Sequence, residues 1–363
     1  MPFRTTVRRE LLFVLLQGCL VLAQSTNPST YMDNALNAAG VLNDVYYNAS
    51  TGLWNNLWWN SGNALTAITD VAKADSNYAS TAEGIFATTF QNAPGRGGGP
   101  GWTNNFYDDE GWWALGWIDA FDLTSNQSYF AAAADIYNDM QTGDNATCGG
   151  HWWDKPHSAN TAIGNELYLS VAAHLAERTS GDDRTGYLND ALNEWNWFKN
   201  SGLIDTNNIV HDGLDLSTCQ VDAGSPTFTY NQGVILGGLI SLNNVSPDPS
   251  YLQTASNIAH AVLAHMVDDN GILIEYGGSL TPDENASQFK GVFVRNLMAL
   301  QQVQPDSAYV SFLQKNADSL WANARDSSSG LIGPDWQGPF EDNDMSSQNS
   351  AVSCLLAAYV ASQ

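Results

Sequence analysis

The chain has 363 residues, 44 % of them hydrophobic, with 13 Trp, 14 Tyr and 13 Phe. That much apolar and aromatic side chain suffices for a large core and excludes intrinsic disorder. Thirteen Lys and Arg against 38 Asp and Glu give a net charge of −25, which repels phosphate backbones and anionic membranes; nucleic acid is excluded as a partner and a neutral substrate is expected.

Arg4, Arg8 and Arg9 precede an apolar stretch from Leu11 to Ala23. This is the layout of a secretory signal peptide over residues 1–23, too short to span a bilayer. The expected mature protein is a single domain over 24–363, with a net charge of −27 once the three arginines and Glu10 leave. No later apolar run predicts a membrane span, and the end at Ala361-Ser362-Gln363 shows no spacer and hydrophobic tail of an anchor signal. The expectation is a secreted, extracellular monomer. Five Asn-X-Ser/Thr sequons, at Asn48, Asn126, Asn145, Asn244 and Asn285, fit that route as glycosylation sites. Cys19 leaves with the leader. Cys148 and Cys219 fall in loops and are the expected disulfide, whereas Cys354 lies in an apolar helical run and should be a buried thiol. Nothing in the His and Cys spacing predicts a metal site, and no cofactor is expected.

Along the mature chain, 3.6-residue periodicity predicts twelve helices, over about 31–46, 61–75, 77–92, 105–123, 126–141, 159–178, 183–200, 228–243, 248–267, 285–303, 305–323 and 345–361. Short links, such as Ser125-Asn126 and Pro305-Asp306, follow the even-numbered helices. Long ones follow the odd-numbered helices, near 47–60, 93–104, 142–158, 201–227, 268–284 and 324–344. Strict alternation is what six antiparallel hairpins in a ring produce, with all long loops on one face, so an all-α (α/α)6 barrel is expected. A helical solenoid is the alternative, but no motif repeats at a fixed period. The even-numbered helices should be the inner ones, as small residues in Gly233-Val234-Ile235-Leu236-Gly237-Gly238-Leu239 allow close approach. The odd-numbered helices carry more polar faces, as in Asn189-Asp190-Ala191-Leu192-Asn193-Glu194.

Seven tryptophans, Trp54, Trp58, Trp59, Trp102, Trp152, Trp153 and Trp336, fall in the long loops, where large apolar rings either cover a core or bind something flat. At the start of the fourth helix stands Tyr107-Asp108-Asp109-Glu110-Gly111-Trp112-Trp113. Acidic residues in a first turn stabilise the helix dipole by about 0.3–1 kcal/mol. Three adjacent carboxylates exceed that need, and a neighbouring pair bracketed by rings suits acetal cleavage: one group protonated, the other a nucleophile or base. A helix N-terminus favours an ionised carboxylate, while a close neighbour raises the pKa of the group that keeps its proton.

The chain resembles glycoside hydrolase family 76, the endo-α-1,6-mannanases and their fungal cell-wall relatives. The likeness rests on Tyr107-Asp108-Asp109-Glu110-Gly111-Trp112-Trp113, Cys148-Gly149-Gly150-His151-Trp152-Trp153, Thr229-Tyr230-Asn231-Gln232-Gly233 and Phe289-Lys290-Gly291-Val292-Phe293-Val294-Arg295. It implies an (α/α)6 barrel and a retaining mechanism on α-mannan, with Asp108 as nucleophile and Asp109 as acid/base. Tyr230, Asn231 and Gln232 would face the centre of the ring or cap the eighth helix, and Asn63 and Asn160 admit the same two readings. Lys290 is placed to donate to a sugar hydroxyl, and Arg295 to join a structural ion pair. Trp102, Trp112, Trp113, Trp152 and Trp153 are stacking candidates, with at least one of Trp112 and Trp113 in the core, and Tyr107 is a further substrate-binding candidate. His151 and His157 are read as loop hydrogen-bonders. The rival readings are a mannosyl transglycosylase of the same fold and a carbohydrate-binding protein with a degenerate site.

Overall fold

The computed structural model describes residues 27–222, 224–275 and 283–363, so the expected signal peptide lies outside the described residues. Twelve α-helices carry the described part: α1 Pro28–Tyr46, α2 Trp58–Ala74, α3 Ala79–Asn92, α4 Tyr107–Thr124, α5 Gln127–Met140, α6 Ala162–Arg178, α7 Gly181–Phe198, α8 Thr229–Val245, α9 Pro249–His265, α10 Phe289–Val303, α11 Ser307–Asn323 and α12 Met345–Val360. Every helix expected from periodicity is present. The shifts at their ends are local chemistry: α1 starts early because the Asn27 side chain caps it ahead of Pro28, and α10 starts late because Ala286–Gln288 winds as a 3-10 turn.

The short links supply their own caps. Asn126, Asp248 and Asp306 accept from the amides of Ser128, Ser250 and Ala308 at the starts of the outer helices α5, α9 and α11. In contrast α2, α4, α8 and α10 begin without a side-chain cap from the preceding residue, and amides at the start of α4 and α8 are met by the long loops, Tyr107 by the Trp153 carbonyl and Thr229 by Glu275.

Packing closes a ring. The even-numbered helices touch in sequence, α2 on α4, α4 on α6, α6 on α8, α8 on α10 and α10 on α12, and α12 returns to α2. An outer layer covers them, with α5 on α4, α7 on α6, α9 on α8 and α1 on α12. Burial separates the layers, since 14 of 16 residues of α12 are buried but only 4 of 18 of α7. Two glycines show why small residues recur inside. A Cβ on Gly233 would lie 2.7 Å from the Phe293 Cα, and one on Gly291 would lie 2.5 Å from the Ser350 Cα. At those crossings α8, α10 and α12 are in backbone contact. The outer face of α7 departs from expectation: Glu194, read as part of a polar surface, turns inward and is only 6 % exposed.

Short strands organise the long loops. β1 Tyr47–Asn48 pairs with β2 Leu53–Trp54 ahead of α2. β3 Asn160–Thr161 pairs with β4 Gly213–Asp215, which pairs with β5 Gln220–Val221, in the register Asn160 with Leu214 and Thr161 with Gly213. This sheet joins the loop before α6 to the loop before α8. Cys148 and Cys219 are disulfide-bonded and tie the same two loops, while Cys354 is a free buried thiol on α12. All five sequon asparagines are exposed. Among the described residues no helix is long and apolar enough to cross a membrane.

Candidate active site

The first turn of α4 stands at the mouth of the ring, and the loop before α6 is laced onto it. Tyr107 N–H donates to the Trp153 carbonyl at 3.0 Å and Lys155 N–H to the Asn105 carbonyl at 2.9 Å. This lacing brings the Trp153 indole over α4, where its Nε1–H donates to Asp108 Oδ2 at 2.9 Å. Asp108 Oδ1 also accepts from the Asp109 amide at 3.0 Å. Asp109 is held by one donor, with Asn104 Nδ2 2.6 Å from its Oδ2. Both residues are half-buried.

Burial removes water from both groups and raises both pKa values. Asp108 rises to about 6, restrained by its donation from Trp153 and the Asp109 amide. Asp109 is driven well above the usual carboxylate range, by burial first and then by the charge of Asp108. Adjacent in sequence, the two acids are therefore unequal, and the proton rests on Asp109.

Glu110 adds least to the repulsion on Asp109, after burial and the charge of Asp108. It points inward, fully buried, accepts from the Asn104 amide at 2.9 Å and pairs with Lys155 at 2.9 Å. Lys155 also pairs with Asp139 at 2.6 Å. Burial raises Glu110 to about 8. Asn104 thus connects Glu110 to Asp109, with its backbone on one and its side chain on the other.

Beyond α6 in the ring, Tyr230 stands in the first turn of α8, stacked on Phe289 at 3.9 Å between centroids and on Trp112 at 6.5 Å. Asn231 Nδ2 donates to Asp212 Oδ1 at 2.9 Å. Burial first, then the charges of Asp212, Asp108 and Glu166, raise the Tyr230 phenol well above its ordinary value, so these groups share one electrostatic environment. Glu166, on α6, is fully buried with neither carboxyl oxygen hydrogen-bonded, and burial raises its pKa strongly. Of the residues singled out from the sequence, Asp108 is linked to Asp109 and Trp153 by hydrogen bonds and to Tyr230 by its charge, and Asn231 follows Tyr230 on α8. Asn104, Asp212 and Glu166 were not singled out from the sequence. Asp212 is one aspartate among many in a long loop, and it reaches the mouth because its carbonyl accepts from the Ala162 amide beside the β3–β4 pairing.

Several other expected contacts are turned inward. Gln232 exchanges hydrogen bonds with the Val210 backbone, Nε2 donating to its carbonyl at 2.7 Å and Oε1 accepting from its amide at 2.8 Å. Asn160 donates to the Gly149 carbonyl at 2.7 Å and accepts from Asn165, and Tyr107 bonds Thr142 while its ring packs on His151. These three fasten loops to helices and have no polar group left for a sugar. Asn63 is completely buried within α2. Lys290 is 1 % exposed, with Nζ 4.4 Å from the Trp336 ring centroid, so it is a wall residue and not a donor to a hydroxyl. Burial lowers its pKa to about 8.

The loop tryptophans divide similarly. Trp54 and Trp336 are completely buried, Trp152 is covered by the His157 ring at 4.7 Å, and Trp102 is enclosed by Trp58, Trp113, Trp117 and Phe90. Apolar area drives these rings into the core beneath the loops. Trp113 is core as well, and Trp112 is 2 % exposed under Tyr230. Arg295 makes no ion pair among the described residues and instead lies over the Trp112 ring, 5.6 Å from its centroid. His151 is buried with both ring nitrogens on backbone carbonyls, and burial lowers its pKa to about 4.

The family model described as glycosyl hydrolase family 76 matches residues 30–363. A Schizosaccharomyces pombe protein provisionally named a mannan endo-1,6-α-mannosidase is 26 % identical over 79 % of this chain and 70 % of its own length. The Candida albicans mannan endo-1,6-α-mannosidase is 22 % identical over 52 % of this chain, which spans 46 % of that relative. Among solved structures, an inactive variant of the α-1,6-mannanase of Salegentibacter sp. HEL1_6, with two adjacent aspartates replaced by alanine and bound to α-1,6-mannotetrose, superposes with a TM-score of 0.78. It is 23 % identical, covering 91 % of this chain and 99 % of that one, and shows the same fold.

Proposed function

This chain belongs to glycosyl hydrolase family 76, and on that premise we propose that it is a secreted, retaining endo-α-1,6-mannanase acting on the backbone of fungal-type mannan. The observation that carries the reading is the unequal treatment of two neighbouring acids. Asp108, with two N–H donors, is the easier to ionise, and Asp109, with one donor and a charged neighbour, keeps its proton. The Asp108 carboxylate attacks the anomeric carbon while Asp109 gives its proton to the departing oxygen, leaving a mannosyl ester. Asp109, now ionised, takes a proton from water as that water attacks the same carbon and frees Asp108; two inversions retain the configuration. Tyr230 and the Asn231–Asp212 pair lie at the start of α8, beyond α6 from the acids, and supply a ring face and polar groups for the sugar. The Salegentibacter relative, inactive without two adjacent aspartates, supports assigning this pair. The exposed sequons and the disulfide support secretion.

Incubation with linear α-1,6-mannan, followed by chromatography and NMR of the first-formed anomer, tests the reading. Shorter chains with an α reducing end are expected. Enlarged chains would identify a transglycosylase, and intact polymer with measurable affinity a binding protein. Asp108→Asn and Asp109→Asn should each fold normally and lose activity by about 10³-fold or more; near-normal turnover in either ends the assignment.

A further inference from the structure

At the end of the ring opposite the mouth, the C-terminal halves of all six inner helices enclose a cavity of about 350 Å³. Trp112, one helical turn beyond Asp108, separates it from the catalytic mouth, touching Tyr230 and covered by the Arg295 guanidinium. The chain has few cations, yet Lys73, Arg178 and Arg295 gather around this end with His174.

Most of these charges are satisfied. Lys73 pairs with Asp119 at 2.6 Å, Arg178 pairs with Asp122 at 2.5 Å, and His174 bonds Ser241 at 3.0 Å. Asp70 and Arg295 are left. Both line the cavity, Arg295 is 8 % exposed with its Nη1 unpartnered, and among the described residues neither makes a hydrogen bond or an ion pair. A guanidinium and a carboxylate facing one recess without meeting is costly unless something spans them.

The lining states what would do so. Formal charge balances, with Asp70 and Asp119 against Lys73 and Arg295. With no net charge in the lining, neither an anion nor a cation gains enough attraction to repay its lost hydration. A hydroxyl donates and accepts at once, so a neutral molecule with several of them can give a proton to Asp70 and accept from Arg295. Thr66, Ser170 and Asn296 add polar groups, and Leu115, Val234 and Met298 offer apolar wall to carbon-bound hydrogens.

We propose that this cavity is a second, non-catalytic binding site for a neutral, monosaccharide-sized polyol held between the Asp70 carboxylate and the Arg295 guanidinium. The test is calorimetry and crystal soaking of the mature protein with D-mannose as probe, with glycine and inorganic phosphate as the zwitterionic and anionic controls. Mannose is expected in the cavity, with Asp70→Asn and Arg295→Gln each weakening its binding about tenfold or more. Ala299→Leu, which adds bulk to the cavity wall, should weaken it similarly. Should Arg295→Gln fail to fold, the other two variants decide. Mannose affinity unchanged in Asp70→Asn and Ala299→Leu, no binding, or tighter binding of glycine or phosphate than of mannose overturns the proposal.

Discussion

Trp153 joins two loops to one proton. Its backbone carbonyl accepts from Tyr107 and its indole donates to Asp108, so a residue from the loop before α6 sets the acidity of a group on α4. Donation to a carboxylate favours its ionised form, and removing the donor raises the pKa. Trp153→Phe should therefore move the acidic limb of the kcat/KM profile, expected near pH 6 from Asp108, to higher pH by about half a unit to one unit. A limb that stays in place separates Trp153 from Asp108 in function. The adjacent acids and Trp153 were legible because their motif names them. Asp212 and Glu166 were not, since isolated carboxylates in a chain with 38 of them carry no local mark. Lys290 and Arg295 were misplaced for the converse reason: a rare cation in an acidic chain suggests a hydroxyl or carboxylate partner, whereas here the aromatic faces of Trp336 and Trp112 lie against the charges and Lys290 donates to the Leu273 carbonyl.

Among the elements, the inner and outer helices obey different constraints. The outer helices α5, α9 and α11 are started by local signals, Asn126, Asp248 and Asp306, all visible in the sequence. Inner helices are defined by what they touch. Gly291→Ala should place a methyl group against the Ser350 backbone and lower stability by about 1–3 kcal/mol, measured by urea unfolding, without changing the helix content. A neutral result would mean that α10 and α12 part easily and that the close crossing is not needed. On α7, Glu194 is buried with one oxygen unpartnered, and burial followed by the Asp144 charge raises its pKa strongly. Glu194→Gln should raise the Tm at pH 8 by about 2–4 °C and give no advantage at pH 4, where the native glutamate is already neutral. An equal effect at both pH values would assign it to packing instead.

For the whole molecule, buried acids set the pH dependence of stability. Asp70 and Asp108 are raised to about 6, Glu110 to about 8, and Asp109, Glu166 and Glu194 well above their ordinary values, in each case by burial first. A carboxyl whose folded pKa is raised contributes stability that is complete below its unfolded pKa and is lost as pH rises through the folded one. His151, lowered to about 4, acts in the opposite direction only below its unfolded value of 6.5. Between pH 6.5 and 7.5, above the range of His151 and below that of Lys290, whose pKa is lowered to about 8, the acids act alone among these groups, so the Tm should fall steadily across that window. A flat or rising Tm would show that these carboxyls are solvated in the folded protein.

By itself the sequence determined the class of the fold and named the adjacent acids of the candidate site. Periodicity, cap residues and alternating link lengths are local, and a ring of hairpins is the arrangement that satisfies them together. Tertiary structure alone decided which polar groups meet at the mouth and which are spent holding loops. Gln232 and Asn160 look no different in sequence from Asn231, yet strand pairing and the Cys148–Cys219 link carry the loop backbones onto the first two and leave the third beside Asp212. Which way a loop tryptophan turns was likewise settled by burial, since the apolar area beneath a loop draws a ring as strongly as a sugar does, and only the packed neighbours reveal which has claimed it.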